Sequence, residues 1–179
     1  MKPFVLLSDD GDFNVYPARL VPPIEKHLTK IEHARGEKYP DLPLILNEEP
    51  FYSLLPYFLN KYIDRSLTPF YRDLVVFGDG FEYYDSNLYT YKSLCQMFDE
   101  IKTVSQSILA EEMTDTVRSI VSEINPQLLL GFSPALPTPE EIIRLCKQEI
   151  VQYYSEFCTA IRELMESTPE YELIDFWGP

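Results

Sequence analysis

The sequence predicts a mainly helical α+β fold, in which a small mixed or antiparallel sheet packs against long helices. Nine of the fifteen prolines lie within residues 1–69 and none lies between residues 70 and 125, so short elements should precede long helices. Apolar residues recur at steps of three and four through much of the second half, which is typical of helices. The 179 residues, 45% of them hydrophobic, suit a single globular domain over residues 1–179.

Two stretches of the first half have the composition of strands. Residues 4–7 are a short apolar run that ends at a polar turn over residues 8–12, which predicts a buried strand. Residues 74–77 and 81–84 flank Gly78-Asp79-Gly80, and this pattern predicts a β-hairpin, because glycine supplies the backbone angles that tight turns need.

Proline and glycine delimit three further elements of the first half. Pro22 and Pro23 favour the start of a helix that runs to about Ala34 and is ended by Gly36. Residues 41–46 predict an edge strand, because a proline inside them cannot donate a backbone hydrogen bond. Residues 51–63 predict a helix that is kinked or restarted at Pro56.

Helical periodicity extends over residues 88–124. One straight helix of that length would be about 55 Å long, because each residue adds 1.5 Å. A compact chain of this size has a radius of gyration near 16 Å. We therefore predict a break around residues 111–115, with Thr114 capping the second helix.

The C-terminal segment carries the clearest local signal. Thr138 and Glu141 have the spacing of a reciprocal capping box, and Pro139 occupies the first helical position, so a helix is predicted over residues 139–166. Pro169 follows, and residues 171–176 then alternate between apolar and polar side chains. This alternation predicts a final strand beside the hairpin or the first strand.

Charge is the strongest compositional signal. The net charge is −14, and residues 91–179 hold 6 Lys/Arg against 15 Asp/Glu. This balance excludes nucleic acid and anionic membranes as expected partners and favours a basic protein, although acidity also serves solubility alone. Glu149, Glu156 and Glu163 recur every seven residues and should form one stripe on the last helix. We expect Glu170, Glu172 and Asp175 to extend this negative surface.

Thirteen tyrosines are the second compositional feature. Tyrosine is enriched at protein interfaces, but it also packs at the rim of cores with its hydroxyl in water. We favour the rim for most of them and an interface for a subset near residues 83–91. The predicted partner-binding residues are thus Tyr83, Tyr84, Tyr89, Glu149, Glu156, Glu163, Glu170 and Glu172.

The cysteines and histidines predict no catalytic site. Cys95, Cys146 and Cys158 lack metal-binding spacing and indicate reduced, mostly buried thiols in a cytoplasmic protein. His27 and His33 are six residues apart on a predicted helix and would lie on opposite sides of it, as surface histidines. The sequence also contains no apolar run that suits a signal peptide or a membrane span.

Asp9, Asp10 and Asp12 follow the first predicted strand and suggest an alternative chemistry. Carboxylates in that position, with Glu48 or Glu49 as further ligands, could hold Mg²⁺ in a small hydrolase. They fit neither the EF-hand nor the aspartate-nucleophile phosphatase pattern, and an ordinary turn explains them as well. We therefore predict no resident metal or cofactor.

Three functional hypotheses follow. The first is a non-enzymatic protein that docks a basic partner, as inhibitors, immunity proteins and antitoxins do. The second is a non-catalytic subunit of a larger assembly, and the third is the metal-dependent hydrolase. We rank them in this order because charge and tyrosine content point to binding, whereas no motif points to a reaction.

Overall fold

The computed structural model describes residues 6, 13–21, 30–36, 38–64, 67, 81, 86–124 and 137–177. Within them the chain forms an α+β fold with five strands and five helices. In chain order these are β1 (Phe13–Val21), β2 (Lys30–His33), β3 (Leu44–Leu46), α1 (Glu48–Leu54), α2 (Pro56–Tyr62), β4 (Ser86–Thr90), α3 (Tyr91–Leu109), α4 (Asp115–Glu123), α5 (Pro139–Ser167) and β5 (Leu173–Trp177).

The strands form one antiparallel sheet in the order β2-β1-β5-β4. The long strand β1 pairs with β5 along one edge, and with β2 and β3 at successive positions along the other. The sequence did not predict β1. Pro17 lies inside it and has no N–H to donate, but its carbonyl accepts the backbone N–H of Ala34 at 2.8 Å.

One face of the sheet packs against the helices. Alternate residues of a strand point to opposite faces, so Ile174 and Phe176 of β5 share this face. The Phe176 ring lies 5.9 Å from the Phe51 ring of α1 and 6.2 Å from the Phe157 ring of α5. All four side chains are buried, so β5 closes the main core from the sheet side.

The helical predictions for the second half are confirmed. Helix α5 spans Pro139–Ser167, and both hydrogen bonds of the capping box between Thr138 and Glu141 are present. The break occurs where it was predicted, with α3 ending at Leu109 and Thr114 capping α4 through the N–H of Val117. The final strand and the restart of a helix at Pro56 are also confirmed, but the two neighbours of the final strand are β1 and β4 and not the predicted first strand or hairpin.

Other expectations are wrong or fall outside the described residues. Residues 30–33 form β2 rather than the end of a helix, because they pair with β1, with Leu20 opposite Ile31. Residues 88–90 belong to β4, and the helix starts only at Tyr91. The predicted strands at 4–7, 74–77 and 81–84 lie outside the described residues, except for Leu6 and Phe81, which have no strand conformation.

Replacing Thr138 by alanine should lower the free energy of unfolding by about 1 kcal/mol, because the first turn of α5 loses the hydroxyl that accepts the Glu141 N–H. Urea denaturation measures the change. Thr159→Ala is the matched control, because Thr159 is exposed within the same helix and alanine has the higher helix propensity. Equal destabilisation by both substitutions would contradict the role of the cap.

Candidate functional site

A fully buried carboxylate lies on the face of the sheet that is turned away from the helices. Asp175 of β5 has no accessible surface. Its Oδ2 lies 2.7 Å from Nε2 of His33 and also accepts a hydrogen bond from the Ser86 hydroxyl at 2.8 Å. Its Oδ1 accepts a hydrogen bond from the backbone N–H of Asn87 at 2.8 Å. The Asn87 side chain in turn donates to the Phe176 carbonyl at 2.9 Å. The hydrogen bonds of Asp175 thus join β5 to residues of β2 and β4.

His33 is held by aromatic neighbours on the same face. Its ring stacks on Trp177 at 5.8 Å between centroids and lies 4.8 Å from the Tyr16 ring. The second ring nitrogen, Nδ1, is 3.3 Å from the Arg35 guanidinium, which also lies over the Tyr16 ring. The His33 side chain is only 10% exposed, so both its orientation and its access to solvent are restricted.

Serine, histidine and aspartate meet here, but not in the arrangement of a nucleophilic triad. In a triad the aspartate binds one histidine nitrogen, and the other nitrogen takes the serine proton. Here the Ser86 hydroxyl donates to Asp175, and the remaining nitrogen of His33 faces Arg35. The carboxylate therefore links three strands, and the Ser86 hydroxyl is bonded to it rather than to His33.

This cluster corrects two sequence predictions. Asp175 was expected to extend an exposed acidic surface, but burial removes it from any such surface. His33 was expected on the outside of a helix, and it lies instead in β2, opposite Ala18 of β1. Period-two alternation places Asp175 on the face opposite Ile174 and Phe176, but it does not reveal that this second face is also covered.

Exposed acidic side chains concentrate around the turn between α5 and β5. Glu163 and Glu166 lie in the last turns of α5, and Glu170 and Glu172 follow in the turn itself. Tyr39 and Tyr171 lie among them, both partly buried, with ring centroids 6.2 Å apart and ring planes nearly perpendicular. We call this group the acidic turn surface, and it consists of Tyr39, Glu163, Glu166, Glu170, Tyr171 and Glu172.

The tyrosines of this surface are held in place by charged groups. Glu170 accepts hydrogen bonds from the Lys38 ammonium and from the Tyr39 hydroxyl. These bonds lower the pKa of Glu170 to about 2, so its carboxylate stays ionised at neutral pH. The Arg19 guanidinium lies over the Tyr171 ring at 5.6 Å from its centroid. The two aromatic groups thus have defined positions although each remains partly accessible.

A concavity lies on each side of the turn. One, of about 400 Å³, is lined by apolar side chains such as Leu42 and Leu44, with Tyr39 and Glu163 also on its wall. The other, of about 550 Å³, is lined by Tyr171, Glu172 and Leu20 among others. Both are of the size that accepts a small molecule or a few side chains of a partner.

The predicted partner-binding residues other than Tyr89 divide into three groups. Glu163, Glu170 and Glu172 are exposed and lie on the acidic turn surface. Glu149 and Glu156 are partly buried further back on α5, where Glu156 accepts a hydrogen bond from Gln152. Tyr83 and Tyr84 lie outside the described residues.

The prediction for Tyr89 is wrong. It has no accessible surface, and its hydroxyl donates to the Leu59 carbonyl at 2.7 Å, so it belongs to the core. Tyr39 and Tyr171 do reach the surface among the glutamates, and neither is among the partner-binding residues predicted from the sequence. The position of Tyr171 between Glu170 and Glu172 was the available signal for one of them.

The described residues contain no group of three metal-binding side chains, and Asp9, Asp10 and Asp12 lie outside them. None of the three cysteines forms a disulfide, and Cys146 and Cys158 are buried as predicted, whereas Cys95 is exposed. Burial raises the pKa of the Cys146 thiol to about 11 and that of Cys158 to about 12, which disfavours their reactive thiolates. None of the described helices has the length and apolar composition to cross a membrane.

No family model matches the chain, and neither a curated protein nor a solved structure is detectably similar to it.

Proposed function

We propose that the chain is a binding protein that docks a basic partner protein through the acidic turn surface. The observation that carries this proposal is that two partly exposed tyrosines are held in fixed positions among four exposed glutamates. Aromatic anchors within a region of mainly negative charge suit the recognition of a partner of positive charge, although Lys38 and Arg19 also contact the two tyrosines.

Electrostatic attraction supplies the first part of recognition. Residues 163–172 include four glutamates and no lysine or arginine, within a chain of net charge −14. In the described part of the chain, no ion pair neutralises Glu163, Glu166 or Glu172. Their field would therefore speed the encounter with a cationic surface.

The tyrosines supply the second part. Tyr39 and Tyr171 present large rings whose freedom is already reduced by Glu170 and Arg19, so little side-chain entropy remains to be lost on binding. Each flanking concavity has one of the glutamates on its wall, Glu163 in one and Glu172 in the other, beside the cations Lys38, Arg19 and Lys92. These glutamates would bind lysine or arginine side chains of the partner, whose stems are apolar along most of their length.

The buried cluster of Asp175 supports the same role indirectly. It ties β5 to β2 and β4, and β5 begins at the end of the acidic turn. A rigid β5 and a capped α5 hold the turn from both sides, which preorganises the surface for docking.

Inhibitors and immunity-type proteins act by such docking, and we assign the protein to this kind of role. Three cysteines without a disulfide, two of them buried, support action in a reducing compartment such as the cytoplasm.

Neutralising the acidic turn surface should abolish partner capture. The variant Glu163→Gln/Glu166→Gln/Glu172→Gln removes three negative charges and keeps the size of each side chain. Wild-type protein and variant, each immobilised through the N-terminus, are exposed to extract of the native host. We expect one or more basic proteins to be retained by wild type and lost from the variant, as judged by quantitative mass spectrometry.

The matched control is Asp99→Asn/Glu112→Gln/Glu123→Gln, which removes the same number of charges from exposed positions of α3, α4 and the loop between them. The control should retain the same basic proteins as wild type. Equal losses from both variants would mean that only net charge matters, and would contradict a specific surface.

A further inference from the structure

Helices α3 and α5 enclose a groove on the outside of the helical layer, which we call the α3–α5 groove. The helices run antiparallel, because Phe98 of α3 lies 6.4 Å from Phe157 of α5, while Lys147, nearer the start of α5, pairs with Glu111 just beyond the end of α3. The groove has a volume of about 310 Å³. That is near the lower limit for a small-molecule site.

The charge of the groove is opposite to that of the protein. Lys102 of α3 and Arg162 of α5 line it, and no Asp or Glu is among the described residues that do. In the described part of the chain neither cation takes part in an ion pair, whereas Lys38, Lys61 and Lys147 each bind a carboxylate. Two uncompensated cations at one concavity are notable in a chain with 29 acidic residues and 15 basic ones.

Helix geometry directs the two cations toward the same place. Long side chains on a helix lean toward its N-terminus. By this rule Lys102 should lean toward Phe98 along α3, and Arg162 should lean along α5 toward the level of Cys158, which the antiparallel packing places opposite Phe98. The Arg162 guanidinium does lie over the Phe98 ring, 5.0 Å from its centroid.

The rest of the groove is apolar at its floor and bears hydroxyls at its edges. Ile101 and Tyr154 form the buried floor, and Val151 is partly exposed beside them. Ser105, Ser155 and Thr159 are the hydroxyl residues at the edges. From Cys158 back to Val151 the groove extends about 10 Å along α5, at 1.5 Å per residue.

We propose that the α3–α5 groove binds a small molecule that carries one anionic group on an apolar chain. The anionic group accepts charge-assisted hydrogen bonds from Lys102 and Arg162, and the chain lies along Ile101 and Val151. This site is separate from the acidic turn surface, so it adds a small-molecule ligand to a protein for which we propose a protein partner.

The test uses octanoate as the probe, because it combines a carboxylate with a flexible apolar chain. Titration of the ¹⁵N-labelled full chain, followed by two-dimensional NMR, should give saturable shifts confined to residues of α3 and α5 near the groove. Acetate, which lacks the chain, and octan-1-ol, which lacks the charge, should each bind at least about tenfold more weakly. Absence of saturable octanoate binding, or equal binding of all three probes, would overturn the proposal.

Variants separate this site from general attraction to cations. Lys102→Gln/Arg162→Gln should weaken octanoate binding by at least about tenfold, since each charge-assisted hydrogen bond is lost. The matched control, Arg118→Gln/Arg144→Gln, removes two exposed cations from α4 and α5 that line neither the groove nor the two concavities beside the acidic turn surface. It should bind octanoate as wild type does. If both double variants weakened octanoate binding equally, or if neither weakened it, the assignment of the groove would be overturned.

Discussion

Replacing Asp175 by alanine is expected to lower the free energy of unfolding by about 3–5 kcal/mol, because three polar groups lose a hydrogen-bond partner at about 1–3 kcal/mol each. The substitution leaves the Ser86 hydroxyl, the Asn87 N–H and the His33 ring without the carboxylate that they bind. Each of these groups lies at a site that water reaches poorly, so its lost bond is not replaced. Urea denaturation followed by circular dichroism measures the change.

Two controls define this effect. Ser86→Ala removes one hydroxyl from the same cluster and should cost about 1 kcal/mol, the net value of a typical hydrogen bond. Asp99→Asn changes an exposed acid of α3 and should stay within about 0.5 kcal/mol of wild type. If Asp175→Ala were no more destabilising than Asp99→Asn, the carboxylate would not be buried and bonded as the structure has it.

Replacing Phe176 by alanine should have a similar effect through a different cause. The ring packs between the sheet and the helices, with the Phe51, Tyr89 and Phe157 rings 5.3–6.2 Å from it. Its removal leaves a cavity in the main core, which costs about 3–5 kcal/mol for a buried phenylalanine. Denaturation of the purified variant, with the slope of the transition compared to wild type, gives the value.

Phe176→Leu is the matched control for that cavity. Leucine fills most of the volume and should cost about 1.5 kcal/mol or less. Equal loss with leucine and alanine would indicate that the aromatic contacts, and not the filled volume, stabilise the core. No loss with alanine would contradict the packing of β5 against the helices.

Local signals in the sequence were sufficient for the helical half. The capping box at Thr138 and the cap at Thr114 depend on residues three positions apart, so the chain specifies them without reference to the rest of the fold. The alternation that predicted β5 is equally local. The same alternation did not reveal that both faces of β5 are buried, because this depends on which strands and segments lie against it.

Strand pairing explains the wrong predictions in the first half. Residues 30–33 have a spacing that also fits a helix, and their strand conformation comes from hydrogen bonds to β1. Strand β1 itself contains Pro17, and a proline inside a segment argues against a strand there. The Asp175 cluster unites residues as far apart in the chain as His33 and Asp175, 142 positions. No local pattern could have connected them.

The sequence predicted most of the glutamates of the acidic turn surface but not its tyrosines. Its glutamates lie close together in the sequence, and three of them were named from charge alone. Tyr39 reaches the surface because the connection between β2 and β3 folds against the end of α5, where Lys38 and Tyr39 bind Glu170. That contact spans more than a hundred residues and is a product of the tertiary fold.

The most direct test of the proposed function is the rate at which the chain associates with the basic protein that it captures. Stopped-flow measurement over a series of salt concentrations should show the association rate constant falling by at least about tenfold between low and high salt. The fall should be clearly smaller for Glu163→Gln/Glu166→Gln/Glu172→Gln and unchanged for Asp99→Asn/Glu112→Gln/Glu123→Gln. An association rate that is independent of salt, or is altered equally by both variants, would contradict docking through the acidic turn surface.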